Sequence, residues 1–431
     1  VAGYDLTSGE KNILLGKDAG ANMTDNARNI AIGFGAMVAA NTGENNNIAI
    51  GNNALGAETS GADYCIAIGY DALILQNANV VNTVIGSFAG DYITSGAYNT
   101  LVGYGAGSAI QTTHGNTALG YEAAAGCTGA DNTIIGYAAG DAAMTGSYNT
   151  CVGKSAGSAL TDGPGNVLMG YGAGAFLTTG DHNVILGYNA ADALVDSNHS
   201  IVIGANALGG EASGADDCIA IGTNALLTQN HADAKNIGIG VGTGQRITTG
   251  TANVLIGKDA GSWLADDDNN TALGYNALLA ATAGTGNTAI GAFAMDGAIT
   301  GGENTAVGQS ALGTASGEMA DNTAIGLQAL FHLNDVDSDG NVAVGKNAGL
   351  QYNSGGAGNL VQALNCVLIG KSTKTSLGTT ANPADNQIVI GYNALGIGNN
   401  TIALGDTNIT AIKGQVDFAA YSDRRIKRDI T

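Results

Sequence analysis

A five-residue phrase, Asn-x-x-aliphatic-Gly, recurs along this chain about every seventeen residues. It reads Asn99-Thr100-Leu101-Val102-Gly103, Asn149-Thr150-Cys151-Val152-Gly153 and Asn304-Thr305-Ala306-Val307-Gly308. Its glycine falls at 16, 33, 51, 69, 86, 103, 120, 136, 153, 170, 187, 204, 222, 240, 257, 274, 291, 308, 326, 345, 370, 391 and 405, which makes 23 copies. A unit this short cannot bury a core alone, so copies must stack, each on the next. The expected fold is all-β: a parallel β-solenoid (β-roll) of about 23 coils with a 17-residue period.

With the glycine as position zero, each slot carries its own constraint. Position −1 is aliphatic in all 23 copies, and position −3 is Ile, Val or Thr in all 23. Alternate residues of a strand share a face, so these two slots are expected to point together into the coil's core. Position −2 then faces outward; it is never charged. An outward apolar row needs a partner, and the expected partner is a second copy of the chain along the whole rod. Position −4 is Asn in 17 of 23 copies, the pattern of a stacked amide ladder. Position +3 is Ala in 20 of 23, small enough for two sheets to approach closely. A second strand is expected to follow it, as in Ala106-Gly107-Ser108-Ala109-Ile110. At about 4.8 Å per coil the rod is roughly 110 Å long.

Composition bounds the partners. Charged residues are 12 % of the chain and the net charge is −21, which argues against nucleic acid and against an anionic membrane surface. No apolar run is long enough to span a bilayer, no signal-peptide pattern opens the sequence, and residue 1 is Val. Pro164 and Pro383, the two prolines, fall between motif copies, where no ladder hydrogen bond need be lost. Among the five cysteines, Cys65, Cys218 and Cys366 occupy the Asn slot and read as small ladder residues. No CxxC or Cys/His spacing suggests a disulfide or metal framework. Ser60–Gly69 reappears as Ser213–Gly222, an offset of 153 residues or nine coils, so a block of coils is duplicated.

Asp335-Val336-Asp337-Ser338-Asp339-Gly340 has the DxDxDG form of calcium loops, with Asp335, Asp337 and Asp339 as candidate ligands. The twelfth loop position is Lys346 rather than Glu, so a solvated acidic turn is the competing reading. Asp266-Asp267-Asp268 reads as a turn. Tyr follows the motif glycine at 70, 104, 121, 137, 171, 188, 275 and 392, with Lys in the same slot at 17, 154, 258, 346 and 371. Such a stripe either binds glycans by stacking or, more commonly, stacks on itself. Gly345 to Gly370 and Gly370 to Gly391 are stretched by insertions around Gln351–Asn365 and Ser372–Asn386, natural places for recognition loops or passive bulges. The five histidines (114, 182, 199, 231, 332) read as unclustered, and no hydrolytic triad or phosphate-cradling loop stands out.

Two resemblances follow from these residues. Asn-Ile-Ala-Ile-Gly-Asn-Asn-Ala at 47–54 resembles the repeat of trimeric autotransporter adhesin heads. This implies a left-handed roll and three chains about one axis; the heptad stalk and barrel strands of that family have no counterpart here. Ala420-Tyr421-Ser422-Asp423-Arg424-Arg425-Ile426-Lys427-Arg428-Asp429-Ile430 is similar to the start of the endosialidase-type intramolecular chaperone of phage tail fibres and tailspikes. That resemblance implies Ser422 and Lys427 as a self-cleaving pair, Lys being the base for Ser, although residues 423–431 still follow the implied cut. The division expected is a lead-in at 1–11, a shaft at 12–409, a connector strand at 410–421 and the start of a chaperone module at 422–431. The expected function is structural rather than enzymatic: the homotrimeric shaft of a phage tail fibre, on a virion, presenting loops to a cell-surface glycan or protein receptor. An extracellular adhesin or self-assembling surface filament of a microbe is the alternative, and a polysaccharide-degrading tailspike a third. No cofactor is required beyond possible calcium, and no nucleic acid or membrane insertion is expected.

Overall fold

The computed structural model describes residues 1–57, 62–210, 215–231, 234–281, 284–314, 317–333, 338–350, 363–376 and 384–410. Within them the chain is a parallel β-solenoid. Its main sheet has 23 strands, from Ile13–Leu15 to Ile402–Leu404. Each of these strands is three residues long and covers positions −3 to −1 of one motif copy. Register never slips: Ile13 opposes Ile30, Val167 opposes Val184 and Thr305 opposes Thr323, so every slot stacks on the same slot of the next coil. The stretched coils obey this too, since Val342 opposes Val367 and Val367 opposes Ile388. Insertions therefore leave the ladder intact. Most of both insertions (351–362 and 377–383) lies outside the described residues. Residues 1–11, expected as a lead-in, already lie on the first coil. Gly3 N donates to Ala19 O at 2.9 Å, as Gly20 N donates to Ala36 O at 2.9 Å one coil later.

The two faces of the strand are the reverse of the sequence expectation. Position −2 points inward: Ala31, Leu101, Cys151, Leu168 and Leu255 are all fully buried. Positions −3 and −1 point outward and are half-buried or exposed. Period-two alternation was the right rule, but its phase is set by the asparagine. Position −4 lies on the same face as −2, and Asn47, Asn116, Asn166 and Asn287 are buried. The interior is filled from −2, −4 and the Ala-rich +3 slot together with larger side chains from +4 and +7, such as Leu55, Leu73, Ile93 and Ile110, all fully buried. The Ile, Val and Thr side chains at −3 are left on the outside.

The second strand is also absent among the described residues; the segment after each glycine is a run of turns. Its backbone alternates in handedness. Position +2 has positive φ in Asn53, Phe88, Ser155 and Asn276, and position +4 in Leu55, Leu73 and Leu278. Left-handed residues at alternate positions cannot form a pleated strand. Coil-to-coil bonding continues nonetheless: Gly107 N donates to Ala123 O at 2.9 Å and Ala109 N to Ala125 O at 2.9 Å.

The amide ladder forms as expected, inside the coil. Asn166 N donates to Asn149 Oδ1 at 2.9 Å, Asn166 Nδ2 donates to Gly180 O at 2.8 Å, and Asn166 Oδ1 accepts from Asn183 N at 2.9 Å. Asn166→Ala leaves the Asn183 N–H and the Gly180 carbonyl without these partners. Because both are buried, the expected loss is about 2–5 kcal/mol, read as a lower denaturation midpoint. A loss below about 0.5 kcal/mol would mean that the ladder is decorative.

Candidate functional site

The outward slots make one continuous uncharged face, aliphatic at −1 and Ile, Val or Thr at −3. Along successive coils it presents, for example, Leu119, Ile135, Val152, Met169 and Leu186 at −1, with Thr117, Thr133, Thr150, Val167 and Val184 at −3. Leu119 is 47 % exposed, Leu273 45 % and Met169 42 %. A strip roughly 110 Å long and about 10 Å wide offers on the order of 1,000 Å² per chain. The largest apolar patch on a typical monomer is about 300–600 Å². Charge is missing from the whole face, because neither slot is ever ionisable.

The residue after the glycine borders this face with an aromatic ridge. Tyr104, Tyr121 and Tyr137 stack nearly parallel, with ring centres 5.3 and 5.1 Å apart. Tyr70, Phe88 and Tyr104 meet edge to face. Lys154 interrupts the run without breaking it, its Nζ 5.6 Å from the rings of both Tyr137 and Tyr171. The stripe stacks on itself, the commoner of the two readings. Each contact adds about 0.5–1.5 kcal/mol to coil stacking.

Sequence reading missed a second polar ladder, at position −6. Here a side-chain acceptor takes the backbone N–H of the −6 residue one coil earlier. Asn45 Oδ1 accepts from Ala27 N at 2.9 Å, Ser147 Oγ from Ala130 N at 3.0 Å, and Asp268 Oδ1 from Thr251 N at 2.6 Å. The signal was the recurrence of Asn, Asp, Ser and His at that slot, hidden because Ala27, Val80, Ala130 or Gly302 holds it in other coils and cannot accept. Asp339 is one of these rungs: its Oδ1 accepts from Ala320 N at 2.7 Å. The acidic turn around it thus has a structural use. Its companions Asp335 and Asp337 lie outside the described residues, as do Ser422 and Lys427.

The histidines are not all apart. His182 and His199 occupy position −5 of consecutive coils, and their rings stack with centres 5.7 Å apart and planes 10° off parallel. Seventeen residues of separation look remote in sequence and are one coil in space. Asp181 stands beside them, its Oδ2 3.5 Å from His182 Nδ1.

All five cysteines are free and buried. Burial pushes the Cys151 thiol up to about 12 and the Cys127 thiol up to about 11. In the folded state the protonated thiol dominates at pH 8, so thiol reagents should react on the order of 10³-fold more slowly than with free cysteine. In denaturant all five should titrate. The folded chain holds these protons where the unfolded chain, with thiols near about 8.5, releases them. Stability from this source is therefore complete below about pH 8.5 and falls as pH rises toward 12. Rapid labelling of native protein at pH 8 would show that the coils open.

No helix among the described residues is long and apolar enough to cross a membrane. No protein-family model matches the chain, and no curated protein shows significant similarity to it.

Proposed function

We propose that this chain is the shaft of a homotrimeric extracellular fibre, a phage tail fibre, in which three copies close their aliphatic faces around a common axis. The observation that carries this reading is the uncharged aliphatic strip at positions −3 and −1 along the solenoid. A strip of that size in water is unfavourable; buried against two copies it becomes a core. The interior of the coil is already filled by −2, −4, +3, +4 and +7, which supports a partner chain rather than the coil itself as the cover of the outer face. Constant register suits mechanical reach, because a rod of identical coils lengthens without redesign. The C-terminal resemblance at 420–430 favours a phage fibre over a cellular adhesin. Host recognition is assigned to the stretched coils after Gly345 and Gly370, where the strand ladder keeps its register across the inserted sequence.

Negative-stain electron microscopy of the purified chain tests the reading. Discrete rods roughly 110 Å long with three-fold end views are expected. Filaments of unlimited length would favour the surface-filament alternative. A fall in polysaccharide viscosity on incubation would move the assignment to a tailspike enzyme.

A further inference from the structure

We propose that Asp181, His182 and His199 form a surface site for a divalent transition-metal ion, zinc, nickel or copper, independent of the fibre's assembly. One carboxylate oxygen of Asp181 and one nitrogen from each histidine lie within 4.8 Å of one another. Two imidazoles and a carboxylate are the donor set these ions prefer over magnesium or calcium. Nitrogens on one tetrahedral zinc lie about 3.3 Å apart, at bonds of about 2.0–2.1 Å. Both histidine side chains are exposed, so modest ring rotations about their side-chain torsions close the gap without moving the backbone.

A second observation explains why this carboxylate, among many, is available. Asp181 sits at position −6, where a rung normally accepts the N–H of the −6 residue one coil earlier. That residue is Pro164, which has no N–H. Asp181 Oδ1 is accordingly buried with no hydrogen-bond partner among the described residues. The rung above is normal, since Asp181 N donates to Asn198 Oδ1 at 3.0 Å. Proline thus removes one ladder donor and leaves Oδ1 buried and unpaired, while the other oxygen, Oδ2, stands 3.5 Å from His182 Nδ1. The sequence expectation that proline cost no ladder bond is corrected here: the lost bond belongs to the side-chain ladder rather than to the sheet. With no N–H drawing charge to Oδ1, the carboxylate keeps its full charge for a cation held at Oδ2 beside the histidines.

The histidines can be changed without threatening the fold. His182 and His199 have positive φ (54° and 55°), a conformation Asn tolerates well. Titration calorimetry of the untagged full chain with zinc chloride, and separately nickel chloride, should give one ion per chain. His182→Asn and His199→Asn should each weaken binding at least tenfold, while His332→Asn leaves it unchanged. Pro164→Ala returns an N–H donor to Asp181 and should weaken binding several-fold with both histidines intact, a change no structural role of the histidines predicts. Copper(II) at one equivalent should show spin-resonance splitting from two nitrogens in the wild type and from fewer in either variant. Absence of stoichiometric binding, or histidine variants that bind like the wild type, would overturn the site. An unchanged Pro164→Ala affinity would overturn the part given to Asp181.

Discussion

Gly274→Ala is expected to cost roughly 4 kcal/mol or more and to cut the rod's unfolding into two transitions. Gly274 has φ +143°, a region that L-residues rarely enter, and a new Cβ would lie 2.6 Å from both the carbonyl carbon and oxygen of Gly291. That neighbour is backbone and cannot rotate away. Strain of about 1–3 kcal/mol therefore adds to displacement of the next coil. Moving Gly291 in turn disturbs its contact with Gly308, because every motif glycine rests on the next. Coupling in such an array runs only between neighbours, so a broken joint separates the coils before it from those after it. Gly43→Ala is the control: its φ is +86° but nothing lies within 4 Å of the added Cβ, so about 1 kcal/mol is expected. Differential scanning calorimetry of the two variants checks both. Equal, small shifts would mean that the glycine stack tolerates side chains.

The second large effect separates the two faces of the strand. Met169→Glu with Leu273→Glu puts charges on the outer aliphatic face, at residues 42 % and 45 % exposed. A single chain keeps its fold, since these carboxylates remain in water. The proposed assembly would bury them, at about 3 kcal/mol or more for each unpaired charge, which is over a hundredfold in association for each. The expected product is a monomer with an unchanged circular dichroism spectrum. Leu168→Glu or Leu255→Glu, one residue away in the inward slot, should instead unfold the local coils, because both side chains are fully buried. If the outward pair unfolds the chain while the inward substitutions only dissociate it, the assignment of faces is inverted.

What could be read beforehand follows from what a repeat exposes. Stacking, strand position, register and the Asn ladder were legible because they depend on the period and on residue type at one slot. The phase of the strand was not. Uncharged residues fill −3, −2 and −1 alike, so periodicity alone could not choose a face. The choice is made by Asn at −4, on the same face as −2, whose amide bonds inside the coil. The predicted second strand at Ala106–Ile110 failed on backbone conformation. Alternating positive φ at +2 and +4 leaves little trace where Phe88 or Leu278 holds the position instead of Gly or Asn. The −6 bonds escaped because the acceptor changes from Asn to Asp, Ser or His and is missing where Ala or Val holds the slot. His182 and His199 escaped because contact in a solenoid is measured in coils. The pairing of each with the other follows from one period, and that of Asp181 from a proline one coil away.

Cover of the outer face by further copies of the same chain, as proposed, fixes the mass of the particle in solution. Sedimentation equilibrium of the full chain at micromolar concentration reads that mass. A mass three times the 42.5 kDa of one chain, unchanged on dilution to nanomolar, is the predicted result. A stable, soluble 42.5 kDa monomer with its solenoid spectrum intact would contradict it.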